Sequence, residues 1–134
     1  MSITEKINDF LAADAFGVVG ASSNRDKYGN KVLRCYLQND RVAIPVNPRA
    51  SSIEGIEAAA SVADLPDGVD SISVITPPAI TVQVVEEAIE KGIRHIWMQP
   101  GAESTEAIKL GEENGLNVIA DGSCILVVLG YKEH

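Results

Sequence analysis

Ala15-Phe16-Gly17-Val18-Val19-Gly20, running on into the polar stretch Ala21 to Tyr28, is the segment from which the fold can be read. Six mostly apolar residues closed by a glycine are the pattern of a short buried strand. Beyond the polar loop, Gly29 to Asn39 places Val32, Leu33, Tyr36 and Leu37 on one face of a helix. Toward the N-terminus, Ile3, Ile7, Phe10 and Leu11 recur at helical spacing and predict an amphipathic helix over residues 2–13. Toward the C-terminus the alternation repeats. Val42 to Val46 reads as a second strand despite Pro45, and Asn47-Pro48-Arg49 as a turn. Residues 58–63 read as a short Ala-rich helix before a Pro66-Asp67-Gly68 turn. Ser71 to Thr76 is a third strand. Pro77-Pro78 opens a helix that runs to Lys91 and stops at Gly92. Arg94 to Met98 is a fourth strand, Ser104 to Asn114 a helix, and Asn117 to Ala120 a fifth strand. The apolar tail Ile125 to Leu129 fits a strand, a helical turn or packed coil.

Strands alternating with helices predict α/β architecture: a parallel sheet of about five strands, covered on both faces. Right-handed crossovers make that a doubly wound, Rossmann-like domain. The chain has 134 residues, and we expect one domain over 1–134. Hydrophobic residues make up 46% and charged residues 22%, the balance of a globular domain rather than a disordered one.

The 19 acidic and 11 basic side chains leave a charge of −8, which argues against nucleic acid or an anionic membrane as partner. The charge is uneven. From Arg25 to Arg49 six basic residues face two acids, a local +4 on a chain that is otherwise −12. Such an island suits a compact anion, although helix charges commonly face water. Two cysteines, Cys35 and Cys124, make no disulfide framework, and no metal-ligand spacing accompanies His95 and His134. The start of the chain lacks a signal-peptide pattern and no apolar run could span a membrane, so we expect a cytoplasmic protein.

In doubly wound sheets, ligands bind beyond the carboxyl ends of the strands. Here those ends are Gly20-Ala21-Ser22, Asn47-Pro48-Arg49, Thr76-Pro77-Pro78, Gln99-Pro100-Gly101 and Asp121-Gly122-Ser123-Cys124. All are small, polar, or rich in Gly and Pro, which lets backbone N–H groups approach a ligand. The first turn does not spell G-x-G-x-x-G, and the second strand ends in Asn47 rather than a ribose-binding acid. NAD is therefore disfavoured. NADP survives as a lesser candidate, because Arg49 could meet a 2′-phosphate.

The ordered blocks Gly20-Ala21-Ser22, Pro45-Val46-Asn47-Pro48, Thr76-Pro77-Pro78, Trp97-Met98-Gln99-Pro100-Gly101-Ala102 and a late Cys124 resemble the small CoA-binding protein family. That family resembles the N-terminal CoA-binding domain of the succinyl-CoA synthetase alpha subunit, and the likeness runs from about Ile7 to Leu126. It implies CoA, or an acyl-CoA, as ligand. Gly20, Ala21 and Ser22 would line diphosphate and ribose, Arg49 would contact phosphate, and Asn47 and Pro48 would flank the nucleotide. Thr76, Pro77 and Pro78 would form an apolar shelf beside adenine. Arg25 and Lys27 would add phosphate contacts, and Gln99, Pro100 and Gly101 complete the candidate set.

The synthetase's catalytic histidine has no counterpart here, so the resemblance implies binding rather than ligation. We expect a binding or regulatory module without chemistry of its own. The alternatives are an NADP-dependent or CoA-thioester enzyme, for which Tyr28, Asp121 and Cys124 are the few proton donors, and a ligand-free interaction subunit with a protein partner. Trp97 and Cys35 read as core and His95 as structural. Cys124 could form a mixed disulfide with CoA, but no cationic neighbour in the sequence activates it.

Overall fold

The computed structural model describes residues 1–133; His134, one of the two imidazoles noted above, lies outside them. The chain begins with α1 (Ile3–Leu11), capped by a reciprocal Ser2–Glu5 box. Then follow β1 (Ala15–Val19), α2 (Tyr28–Gln38), β2 (Val42–Val46) and a hairpin of β3 (Ser52–Ile53) and β4 (Ile56–Glu57). A three-ten turn (Val62–Asp64) leads to β5 (Ser71–Val74), α3 (Pro78–Lys91), β6 (His95–Met98), α4 (Thr105–Glu113) and β7 (Asn117–Ile119). A π-type helical turn, Leu126–Gly130, follows.

Five strands form one parallel sheet in the order β2-β1-β5-β6-β7, and β3-β4 form a separate antiparallel pair. The order doubles back between β1 and β5, so the crossovers on either side of that gap leave in opposite directions. A crevice at the carboxyl ends of these two strands follows from the topology alone.

Both faces of the sheet are buried. On one, Ile72, Val74, Ile96 and Met98 pack under Val84, Val85 and Ala88 of α3. On the other, Phe16, Val18 and Trp97 pack against Phe10 of α1 and Val32, Leu33 and Tyr36 of α2. Phe10 meets Trp97 edge-on at 5.3 Å, and Phe16 stacks on Tyr36 at 4.7 Å. Central strand β5 carries two serines, yet both are satisfied: Ser71 Oγ donates to the Phe10 carbonyl at 2.9 Å, and Ser73 Oγ lies 2.6 Å from the Tyr36 hydroxyl.

One expected element is absent. Residues 58–63 do not form an Ala-rich helix. Ala58 and Ala59 are extended: the Ala59 N–H donates to the Pro45 carbonyl and its carbonyl accepts from the Asn47 N–H, both at 2.9 Å. Edge strand β2 offers unpaired backbone groups, and satisfying them outweighs alanine's helix propensity. Edge position also explains why Pro45 is tolerated within β2. The apolar tail resolves into the π-type turn, packed on α2. Among the described residues, no helix is long and apolar enough to cross a membrane.

Candidate functional site

The crevice is real and lies where the strand order doubles back. It is a cleft of about 230 Å³ at the carboxyl ends of β1, β2 and β5. Gly20 forms its neck with φ +96°, and a Cβ there would overlap the Ile75 carbonyl of the loop after β5. Gly29, in the first turn of α2, is pressed against the Gly20 carbonyl, so a side chain at either position would force the neck open. Asn47 ties the two walls together. Its Nδ2 donates to the Ala21 carbonyl at 2.9 Å, while its Oδ1 accepts from the Arg49 and Ala50 N–H groups at 2.7 and 3.2 Å. Both ends of the amide thus serve the protein, one Nδ2 hydrogen and both bonds at Oδ1.

Gly20, Ala21, Asn47, Pro48 and Thr76 line the cleft. The Thr76 hydroxyl sits 2.8 Å from that of buried Thr81, which is in turn anchored to the Ala102 carbonyl at 2.8 Å. Pro77 and Pro78 are exposed at the start of α3, outside the lining. The apolar lining there comes from Ile80 and Val84, further along α3, together with Val62; Glu87 also lines the cleft. Ala60 and Ser61 also line the cleft. The alanine content of 58–63 favours helix and so hides this wall from the sequence. For the shelf, the signal in the sequence is an isoleucine, Ile80, in the first turn of a helix opened by Pro77-Pro78.

Arg25, Lys27 and Arg49 lie outside the lining, in the loops that follow β1 and β2. Arg49 is exposed just past the Asn47 turn and forms no ion pair among the described residues. Arg25 is half-exposed, its Nε 3.5 Å from a Glu54 carboxylate oxygen. Lys27 is exposed at the N-terminus of α2, which has no side-chain cap, so its first N–H groups are left for water or an anion. Ser22 lies outside the lining: its Oγ accepts from the Asn24 N–H at 3.1 Å in a local turn, and its carbonyl accepts from Asn30 Nδ2 at 2.8 Å.

Gln99 is fully buried and belongs to a second cluster. Its Oε1 accepts from the Tyr28 hydroxyl and the Ile125 N–H, each at 3.0 Å, leaving Nε2 without a partner. Tyr28 Oη also lies 2.8 Å from Cys124 Sγ. The hydroxyl proton is committed to Gln99, so the thiol is the donor in that contact. Burial raises the Tyr28 pKa, and the Cys124 contact raises it further. The thiol therefore faces a neutral hydroxyl and not a cation. Pro100 and Gly101 are exposed beyond β6, with the Gly101 N–H held by the Glu103 carboxylate at 2.7 Å.

Other noted residues serve the fold. Cys35 is buried, and burial pushes its thiol up to about 11. Trp97 is buried, its indole N–H donating to the Ser123 carbonyl at 3.0 Å. His95 stands at the N-terminal end of β6, away from the cleft. Asp121 Oδ1 accepts from the Ser123 hydroxyl at 2.6 Å, which holds its carboxyl below the usual range. Such a carboxylate is a weak proton acceptor at neutral pH. Among the described residues no group of His, Cys, Asp and Glu is placed to hold a metal ion.

A parallel doubly wound sheet with a glycine-necked cleft at its switch point defines the class: a Rossmann-like α/β domain. Within that class the chain belongs to the CoA binding domain family, whose model matches residues 14–130. It is 30% identical over 110 residues to the uncharacterised protein YneT of Bacillus subtilis, covering 82% of this chain and 81% of that one. A conserved hypothetical protein from Pyrococcus furiosus has the same fold, with TM-score 0.81 and 40% identity over 87% of this chain and 98% of that one. The ADP-forming acetate–CoA ligase of Methanocaldococcus jannaschii is 29% identical over 77 residues, 58% of this chain but 11% of the ligase.

Proposed function

We propose that the chain binds CoA or an acyl-CoA in the cleft between β1, β2 and β5, as a binding or regulatory module without chemistry of its own. The observation that carries this reading is the neck at Gly20 and Gly29, where two backbones meet without side chains. It opens onto an apolar slot on one side and an uncapped helix start with Arg25, Lys27 and Arg49 on the other.

The cleft, at about 230 Å³, is smaller than the ~300–1,000 Å³ that encloses a drug-sized ligand. It would take the adenine and part of the ribose between Ile80 and Val62. The phosphates would lie on the open basic rim, and the pantetheine arm would run outward past α2. A rim of cations on an acidic molecule suits a polyanion, because the −8 background disfavours looser anion binding elsewhere. NADP shares the adenine and diphosphate and remains the comparator. The family's presence in large ligases makes a protein partner part of the proposal.

Calorimetric titration with CoA, dephospho-CoA and NADPH tests the reading. We expect micromolar CoA affinity that falls with added salt and with loss of the 3′-phosphate. In Arg49→Ala, CoA and dephospho-CoA should bind alike. Absence of CoA binding at millimolar concentration would overturn the proposal.

A further inference from the structure

The tip of the β3–β4 hairpin carries an unusual residue for its backbone. Glu54 has φ 51° and Gly55 φ 78°, so both central positions of this two-residue turn are left-handed. Glycine, asparagine and aspartate are the residues such a turn favours, and glutamate is strained there. The strained residue places its carboxylate over the loop that follows β1.

There the carboxylate meets two donors. Asn30 Nδ2 donates to Glu54 Oε2 at 3.2 Å, and Arg25 Nε lies 3.5 Å from the same oxygen. Asn30 is fully buried and fixed from behind: it donates to the Ser22 carbonyl at 2.8 Å and accepts from Arg34 Nε at 2.7 Å. Arg34, itself buried, also donates to the Arg25 carbonyl at 2.7 Å. The backbone of Arg25 is thus pinned, while its side chain, 55% exposed, is held among the described residues by the Glu54 ion pair alone. One buried amide and one half-exposed guanidinium converge on a single acceptor oxygen, and that oxygen belongs to the protein.

We propose that Glu54 is an internal occupant of the rim's anion site, which holds Arg25 in the free protein and yields it only to a phosphate-bearing ligand. This rests on the reading of the rim as a phosphate site. A singly charged carboxylate offers Arg25 no more than the tethered Glu54 already does. A diphosphate or phosphomonoester brings more charge and can engage the guanidinium through two oxygens. Glu54 is therefore a specificity-determining residue that screens out monoanions.

Glu54→Gln isolates the effect, because the amide oxygen still accepts from Asn30 and only the charge facing Arg25 is lost. CoA and inorganic pyrophosphate should bind Glu54→Gln about two- to fivefold more tightly, the size of an exposed ion pair. The gain should vanish in an Arg25→Ala background and be absent from Glu57→Gln, the same charge change on the same hairpin. Independently of any ligand, phenylglyoxal labelling of Arg25, mapped by mass spectrometry, should accelerate in Glu54→Gln. Unchanged affinity with unchanged labelling would overturn the proposal, as would an equal gain in Glu57→Gln. Faster labelling without binding of CoA or pyrophosphate by any variant would instead overturn the nucleotide reading and leave the hold of Glu54 on Arg25 standing.

Discussion

Gly20 and Asn47 govern the cleft through opposite means, one by lacking a side chain and the other by bonding both ends of its amide to the chain. Gly20→Ala must bear a left-handed backbone and an overlap with the Ile75 carbonyl. The backbone alone costs about 1–2 kcal/mol. We expect a Tm drop and loss of CoA binding, read by thermal melting and calorimetry. Asn47→Asp keeps the acceptor for the Arg49 and Ala50 N–H groups but replaces the donor to the Ala21 carbonyl with a carboxylate. Two acceptors then face each other, at a cost of about 1–3 kcal/mol, and the new charge repels phosphate; urea unfolding and CoA titration check both effects. Both positions were legible in the sequence because strand ends in a doubly wound fold mark the crevice. The side-chain duties were not. Nothing in the order Asn47-Pro48-Arg49 says that the asparagine spends its amide on the protein, or that Gln99 turns inward to Tyr28 and Cys124.

At the scale of elements, the alternation of short apolar runs with amphipathic segments marked every strand of the five-stranded parallel sheet and all four α-helices. The boundary of β2 and the start of α3 at Pro78 agree with the expected positions. What periodicity could not reveal was the segment from Ser51 to Asp64. Its alanines suggested helix, but its backbone groups pair with an edge strand that lies elsewhere in space. Two-residue strands such as β3 and β4 are too short to show alternation at all. This hairpin nevertheless brings Glu54 to the rim and is anchored by buried Ile53. Ile53→Ala removes that anchor and should cost about 2–4 kcal/mol. Hydrogen exchange should then quicken in the Ser22–Asn30 amides, whose far support is Glu54. If only hairpin amides quickened, the loop and the hairpin would be independent.

For the whole molecule, the N-terminal end of the sheet, opposite the cleft, contributes a response to acid through His95. His95 Nδ1 lies 3.0 Å from Asn117 Nδ2, which also donates to the Lys6 carbonyl, so the ring accepts at Nδ1 and is neutral. Burial is the largest influence on it and lowers its pKa; Arg94 acts in the same sense, while Asp9 and Asp70 oppose. A folded-state pKa below the unfolded value means that the unfolded chain binds the proton more readily. Stability should therefore fall as pH drops through about 6.5, the unfolded value, and level off below the folded one. His95→Gln should flatten that part of the profile in urea unfolding at stepped pH. An unchanged profile would assign the acid response to other groups.

Trp97 is the chain's one tryptophan, buried edge-on to Phe10 and tethered by its indole N–H to the Ser123 carbonyl beside Cys124. The protein consequently carries a label-free optical probe bonded to the segment that holds the thiol. Displacement of residues 121–125 would change the polarity and hydrogen bonding sensed by a single emitter, giving a spectral readout with no competing indole signal.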